Sequence, residues 1–192
     1  MPDTTVSSRT VNGVEYPAAG TYAIDTSHTR IGFAVRHMAV SKVRGDFADF
    51  SGTLELAEDP VDSRVSVTIQ ARSVDTRDAN RDDHLRTGDF FDVENHPTWT
   101  FTSTSIRPVS ATEWNVDGDL TIRGTTRPVT LDAVLEGVVQ DPYGLHRVGF
   151  SAKTTIDREE FGVSFNGVLE AGGLVVGKRV DIEIEAEATF QG

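Results

Sequence analysis

"VDIEIEAEATF", residues 180–190, alternates along its whole length between apolar and polar, mostly acidic, side chains. Successive side chains of a β-strand point to opposite faces, so this alternation places one face in a core and the other in water. A helix would instead distribute the acidic residues around its circumference. The stretch therefore predicts a long strand that belongs to a sheet with one buried face.

The same two-residue period recurs in seven further stretches, which together with 180–190 predict about eight strands. They are 31–35, 50–56, 65–71, 99–103, 114–122, 129–135 and 148–156. Eight antiparallel strands with one polar face favour a sheet closed into a barrel, because closure removes exposed edges. A sandwich of two sheets remains the alternative, since periodicity alone does not distinguish the two.

Turn residues separate these strands. Asp141-Pro142-Tyr143-Gly144 fits a type I turn, in which proline presets φ at the second position and glycine occupies the fourth. Asp117-Gly118 resembles a hairpin turn, but the inward phase runs unbroken from Trp114 to Ile122. We therefore predict that Gly118 marks a bend or a close backbone approach inside one curved strand.

Three segments do not follow the strand pattern. Residues 75–86 carry acids early and Arg86 late, which matches a helix dipole, and Gly88 is a suitable end point. Residues 157–160, Asp-Arg-Glu-Glu, resemble a capping box that opens one short turn. Five glycines among valines and leucines between positions 162 and 177 predict a mobile apolar loop or an irregular hairpin.

The totals limit the class of protein. A chain of 192 residues fits a single domain, here 21–192, preceded by a loose tail of small and polar residues at 1–20. The net charge of −12 argues against general binding to nucleic acids or anionic membranes. No apolar run is long enough for a signal peptide or a membrane span, so we expect a soluble, cytoplasmic protein.

A metal or catalytic site finds little support. The chain has no cysteine and five histidines; only His84 and His96, with Asp82 or Asp83, offer a convergent set, and surface hydrogen bonding explains them better. No HExxH, GxSxG or phosphate-loop motif is present. We therefore predict neither a metal, nor a cofactor, nor catalysis. The alternative is an enzyme in which His84, Asp83 and Arg81 act on a small apolar substrate.

One stretch departs from the acidic character of the chain. Residues 26–45 contain no acid but four basic residues, Arg30, Arg36, Lys42 and Arg44, so the remainder of the chain carries a charge of −16. A local basic patch can hold an anionic head group, because a Debye length of about 8 Å screens distant negative charge. Pairing of these side chains with surface acids is an equally acceptable interpretation.

A series of short motifs, each weak alone, carries a resemblance in its order and spacing. The motifs are YAID at 22–25, SH at 27–28, IGF at 31–33, RH at 36–37, VRGDF at 43–47, FSG at 50–52, RDDHL at 81–85, DFFDV at 89–93, HP at 96–97, TF at 100–101, GDLTIRG at 118–124, PVTL at 128–131, GF at 149–150, IDR at 156–158 and FGV at 161–163. Over about residues 20–190 the chain resembles the YceI-like, polyisoprenoid-binding proteins.

The resemblance implies an eight-stranded antiparallel, lipocalin-like barrel with one or two short helices at its end. Its apolar lumen would hold a long-chain isoprenoid lipid, a polyprenyl phosphate or an isoprenoid quinone, for carriage, storage or protection. The residues expected to line the lumen are Ile31, Phe33, Val35, Phe90, Phe91, Trp99, Phe101, Phe150, Phe161 and Phe165.

For a phosphate head group we predict contacts from Arg36, His37, Arg81 and His84, because arginine binds phosphate through two hydrogen bonds. Arg36 is out of phase with the inward positions of its strand, whereas His37 is in phase with them. A second copy of the chain is a further candidate partner. If its own side chains instead filled the barrel, it would serve as an interaction module.

Overall fold

The structure, a computed structural model, describes residues 8–11, 13–167 and 175–192. Within these ranges the chain forms thirteen β-strands, one α-helix and three short 3₁₀ turns. They are β1 (Arg9–Val11), β2 (Val14–Tyr16), β3 (Gly20–Ile24), β4 (Arg30–His37), β5 (Ser41–Phe47), β6 (Phe50–Leu56), the turn Pro60–Asp62, β7 (Arg64–Gln70), the turn Ala71–Ser73, β8 (Val74–Asp75), α1 (Ala79–Arg86), β9 (Thr98–Pro108), β10 (Glu113–Ile122), β11 (Thr125–Gln140), β12 (His146–Asp157), the turn Arg158–Phe161 and β13 (Val176–Phe190).

Eight strands close into an antiparallel barrel. The ring runs β3-β6-β7-β9-β10-β11-β12-β13, and β13 pairs with β12 on one edge and with β3 on the other. A two-sheet sandwich has no such closure, so the structure decides between the two architectures that the sequence leaves open. The predicted fold class is therefore confirmed.

One position of the ring is shared by two strands. The last residues of β13 pair with β3, whereas Val180–Glu185 pair with β4. β3 and β4 are thus two segments of one edge, interrupted at residues 25–29. Beyond them, β5 pairs with β4 and β8 pairs with β5. These three strands therefore form a branch of the sheet that extends outside the closed ring at one end of the barrel.

The two ends of the barrel differ. At the helix end, named here for α1, lie α1, the β4–β5 turn, the β10–β11 turn and the 3₁₀ turn that follows β12. At the opposite hairpin end, β1 and β2 pair with each other and contact the turns of the barrel. The core has two parts accordingly, with Phe47, Trp99 and Phe161 in one cluster and Tyr22 and Leu135 in the other.

Residues 9–11 and 13–16 are more ordered than the sequence predicts. Within residues 1–20, β1 and β2 form a hairpin around Gly13, which adopts a positive φ of 82°. Tyr16 is only 7% exposed, and its hydroxyl donates to the carbonyl of Ala111 at 2.5 Å. The prediction of a loose tail is therefore wrong for 9–11 and 13–16, because an aromatic ring anchors the hairpin to the barrel.

The remaining local predictions have mixed outcomes. The helix begins at Ala79, not at residue 75, because Asp78 caps it by accepting from the amide of Arg81. The predicted turn after β12 is present, and Asp157 caps it. The Asp141–Gly144 turn closes by a 2.9 Å hydrogen bond. Of the glycine-rich loop, residues 168–174 lie outside the part of the chain that the structure describes.

Candidate ligand-binding lumen

A cavity of about 310 Å³ extends between the two ends of the barrel. The inward side chains of β13 line it, as the alternation predicts, together with those of the facing strands. On β11 and β13 these residues are Val129, Leu131, Ala133, Leu135, Val180, Ile182, Ile184 and Ala186. The lumen is therefore apolar over most of its length, and its volume lies at the lower limit of typical small-molecule pockets.

Nine of the ten predicted lumen residues line this cavity. They are Ile31, Phe33, Val35, Phe90, Phe91, Trp99, Phe101, Phe150 and Phe161. Phe165 does not: it is 40% exposed, and its ring packs from outside against His84 and Phe90, each at 5.2 Å between centroids. It lies in the irregular segment after the last 3₁₀ turn, where strand parity does not determine side-chain direction.

An aromatic cluster forms the lumen wall at the helix end. Trp99 contacts Phe47 at 4.8 Å and Phe91 at 4.7 Å between ring centroids, both edge to face. Edge-to-face pairs of this kind stabilise a core beyond the area that they bury. Phe90, the neighbour of Phe91, also borders the cavity but packs against the exposed His84 and Phe165. The Phe90-Phe91 pair thus connects the lumen to the outer surface.

The predicted head-group residues do not line the cavity. Arg36 is exposed, as its strand phase indicates, and His37 is half-buried at the end of β4. Arg81 donates to the hydroxyl and the carbonyl of Thr76, at 2.7 and 2.9 Å, which holds the start of α1. His84 pairs with Asp89 at 2.8 Å. Arg81 and His84 therefore have separate partners in the described structure.

The same contacts bear on the enzyme alternative. Asp83 pairs with Arg86 at 2.9 Å, whereas Arg81 and His84 bond to other groups. A general base needs a hydrogen bond to the group that it activates. Among the described residues, Arg81, Asp83 and His84 make no such contact with one another.

Sequence reasoning assigned no role to Arg158, which lies at the helix end of the lumen. Its side chain is 5% exposed and donates to the carbonyls of Val163, Phe165 and Gly177, at 2.6, 3.0 and 2.8 Å. Burial lowers the pKa of this guanidinium. Arg158 fastens the segment after β12 to the start of β13. The Asp157-Arg158 dipeptide stands out in the sequence, but Gly177, one of the residues that Arg158 binds, is 19 positions away, so the sequence does not show the contact.

A second cluster, also missed, lies on the outside of the barrel. Carboxylates of Asp25 and Glu187 and the ring of His28 place one ligand atom each within 4.8 Å of one another, a geometry that could hold a metal ion. Arg147 contacts both carboxylates, at 2.6 and 3.4 Å, and so supplies the positive charge itself. We interpret the cluster as an ion-pair network that ties β3 to β12 and β13.

Fold and cavity together define a lipocalin-like barrel with an apolar lumen. The chain belongs to the YceI-like domain family, whose pattern matches residues 22–188. Among its relatives, the YceI protein of Escherichia coli O157:H7 is 42% identical over 148 residues, which are 76% of this chain and 77% of that protein. The described residues contain no helix long and apolar enough to cross a membrane.

Two solved structures share the fold. BcnA of Burkholderia cenocepacia has a TM-score of 0.76 at 24% identity, over 86% of this chain and 99% of that one. A polyisoprenoid-binding domain from Saccharophagus degradans, implicated in plant cell wall breakdown, has a TM-score of 0.67 at 15% identity, over 88% of this chain and 98% of that one. At these identities the likeness concerns the fold.

Proposed function

We propose that the barrel binds a long-chain isoprenoid lipid in its lumen, for carriage, storage or protection, without chemical conversion. The observation that carries the proposal is the apolar cavity through the barrel, whose wall is built from aliphatic and aromatic side chains of all the ring strands. Burial of each CH₂ group contributes about 0.8 kcal/mol, so a chain of three isoprene units gains about 12 kcal/mol before ordering costs.

Family membership and the fold shared with a polyisoprenoid-binding domain support this class of ligand. The interaction-module alternative, a barrel filled by its own side chains, has less support because an open cavity remains. The nature of the head group, phosphate or quinone, is part of the proposal. The apolar lumen supports lipid binding whichever of the two head groups the lipid has.

Organic extraction of the purified protein, followed by mass spectrometry, tests the proposal. We expect a prenyl lipid in about stoichiometric amount, and its spectrum distinguishes a polyprenyl phosphate from a quinone. An extract without prenyl lipid, from protein that also fails to take up added prenyl lipid, contradicts the proposal. Conversion of the added lipid into a new product would instead support the enzyme alternative.

A further inference from the structure

The turn between β4 and β5 holds two apolar side chains in water. Val40 is 77% exposed and Met38 is 39% exposed. Met38 and Ala39 have positive φ angles, 49° and 58°, in a region that residues other than glycine, asparagine and aspartate rarely adopt. The hairpin thus ends in an apolar tip, which the described residues leave at least partly exposed.

Basic side chains flank this tip on the outer face of the hairpin. Arg36 on β4 lies directly opposite Lys42 on β5, and Arg44 follows Lys42 on the same face. Like charges directly opposite each other repel. Lys42 pairs with Asp181 at 2.7 Å, but within the described ranges neither Arg36 nor Arg44 has a carboxylate at ion-pair distance. Positive charge therefore remains available beside the apolar tip.

The turn between β11 and β12, at the hairpin end, provides a comparison. It also exposes apolar side chains, with Tyr143 at 90% and Leu145 at 46%. Its nearby charges neutralise one another, because Arg147 donates to Asp141 at 2.8 Å. Of these two turns, the β4–β5 hairpin is the one that combines exposed apolar side chains with basic groups that have no carboxylate partner among the described residues.

We propose that residues 36–44, the β4–β5 hairpin, dock onto a membrane surface that carries anionic lipids. An anionic bilayer matches both features of the hairpin. Its interface can take up the apolar side chains of Met38 and Val40, and its negative head groups attract Arg36 and Arg44. The net charge of −12 weakens this attraction but does not abolish it, because charges beyond about 8 Å are screened at physiological ionic strength.

Docking there would bring the helix end of the lumen to the bilayer. Val35, the neighbour of Arg36, and Val176, which pairs with His37, both line the cavity. The docking surface is a separate claim from the lumen ligand, since lipid-free protein carries the same hairpin. Failure of one claim therefore leaves the other standing.

Vesicle flotation tests the surface directly. We expect the protein to bind vesicles of phosphatidylcholine with about one-third phosphatidylglycerol, to bind pure phosphatidylcholine weakly, and to dissociate as salt is raised. The double substitution Arg36→Gln and Arg44→Gln should lower partitioning about tenfold or more, since each basic group near an anionic surface contributes a factor of about five.

The matched control is Arg64→Gln with Arg107→Gln, which removes the same charge from exposed arginines elsewhere on the barrel. A loss of binding as large in this control as in the hairpin variant overturns the proposal, because only net charge would then matter. Equal binding to both kinds of vesicle also overturns it. So does the absence of vesicle binding, even if the hairpin captures an acidic protein instead.

Insertion of the tip can be followed with a single label, because the chain contains no cysteine. An environment-sensitive fluorophore on Val40→Cys should shift to shorter wavelength when anionic vesicles are added. The same fluorophore on Val109→Cys, at a position 60% exposed near the hairpin end, should not shift. A shift at position 109 alone would place the membrane contact at the wrong end and contradict the proposal.

Discussion

Gly118 lies on the inner face of β10, where the ring of Phe101 occupies the space of a side chain. A Cβ atom at this position would lie 2.4 Å from Cζ of Phe101 and 2.7 Å from the carbonyl oxygen of Thr102. The pairing with β9 shifts register at the same point. The sequence prediction of a close approach inside a curved strand is therefore confirmed.

Replacing this glycine should destabilise the protein. Gly118→Ala forces Phe101 or the β9 backbone to move, and overpacking of this kind costs about 1–3 kcal/mol. The free energy of unfolding in urea measures the effect. Gly137→Ala on β11 is the control, because its Cβ would meet nothing within 4 Å. Equal effects of the two substitutions would mean that contact with Phe101 is not the cause.

The carboxyl group of Asp25 makes the free energy of unfolding fall at acid pH. The Ser27 hydroxyl, together with Arg147 and His28, holds the pKa of this carboxyl well below its usual range. A lowered folded-state pKa stabilises the protein above the ordinary value near 3.8, and this stabilisation is lost as pH falls further. Asp25→Asn should therefore reduce the free energy of unfolding at pH 7 by about 1–3 kcal/mol, since the bonds to Arg147 are charge-assisted.

The difference in unfolding free energy between wild type and Asp25→Asn should shrink when urea unfolding is repeated below pH 3.8. At that pH the carboxylate of the wild type contributes progressively less stabilisation. A deficit that is constant from pH 7 to pH 2 would assign the effect to lost packing, not to charge. Arg107→Gln, which breaks an exposed pair with Asp117, is a control expected to cost less than Asp25→Asn, because solvent screens exposed ion pairs.

At the scale of elements, the β1–β2 hairpin covers one end of the lumen. Arg9, Tyr16 and Pro17 line the cavity, and Arg9 donates to the carbonyl of Ala57 at 2.5 Å. The ring of Tyr16 packs edge-on against Trp114, with 6.1 Å between centroids. The hairpin lies outside residues 22–188, the part of the chain that matches the family pattern.

Tyr16→Ala should loosen the cover, because it removes the hydrogen bond to Ala111 and the contact with Trp114. We expect an apolar naphthylamine fluorophore bound in the lumen to dissociate several-fold faster, as measured by stopped-flow competition. Tyr143→Ala, at a tyrosine that is 90% exposed, should leave the rate unchanged. An unchanged rate in the Tyr16 variant would show that ligands leave by another route.

The elements also show what a sequence can predict. The alternation of the strands correctly placed Val180, Ile184 and Phe150 in the lumen. In a β-strand each side chain points to one of only two faces, so the pattern determines which. Phe165 was misplaced, since it lies outside any strand. The roles of Arg158 and Arg147 depend on partners far away in the chain, and single-sequence periodicity carries no information about such contacts.

At the scale of the whole molecule, the barrel combines an apolar interior with two different ends. The hairpin end is covered by β1 and β2, and the helix end holds the buried Arg158, α1 and the basic β4–β5 hairpin. The central claim is that the lumen itself holds the lipid.

Native mass spectrometry of the purified protein tests this claim most directly, with a lumen-filling variant for comparison. Ala186→Trp places an indole in the cavity, and Ala48→Trp adds the same group at an exposed position outside it. Far-ultraviolet circular dichroism checks that both variants fold, and Ala133→Trp replaces the first if it does not. We predict one prenyl-lipid adduct per chain in wild type and Ala48→Trp and none in the lumen variant; an adduct that persists when the lumen is filled would contradict the account.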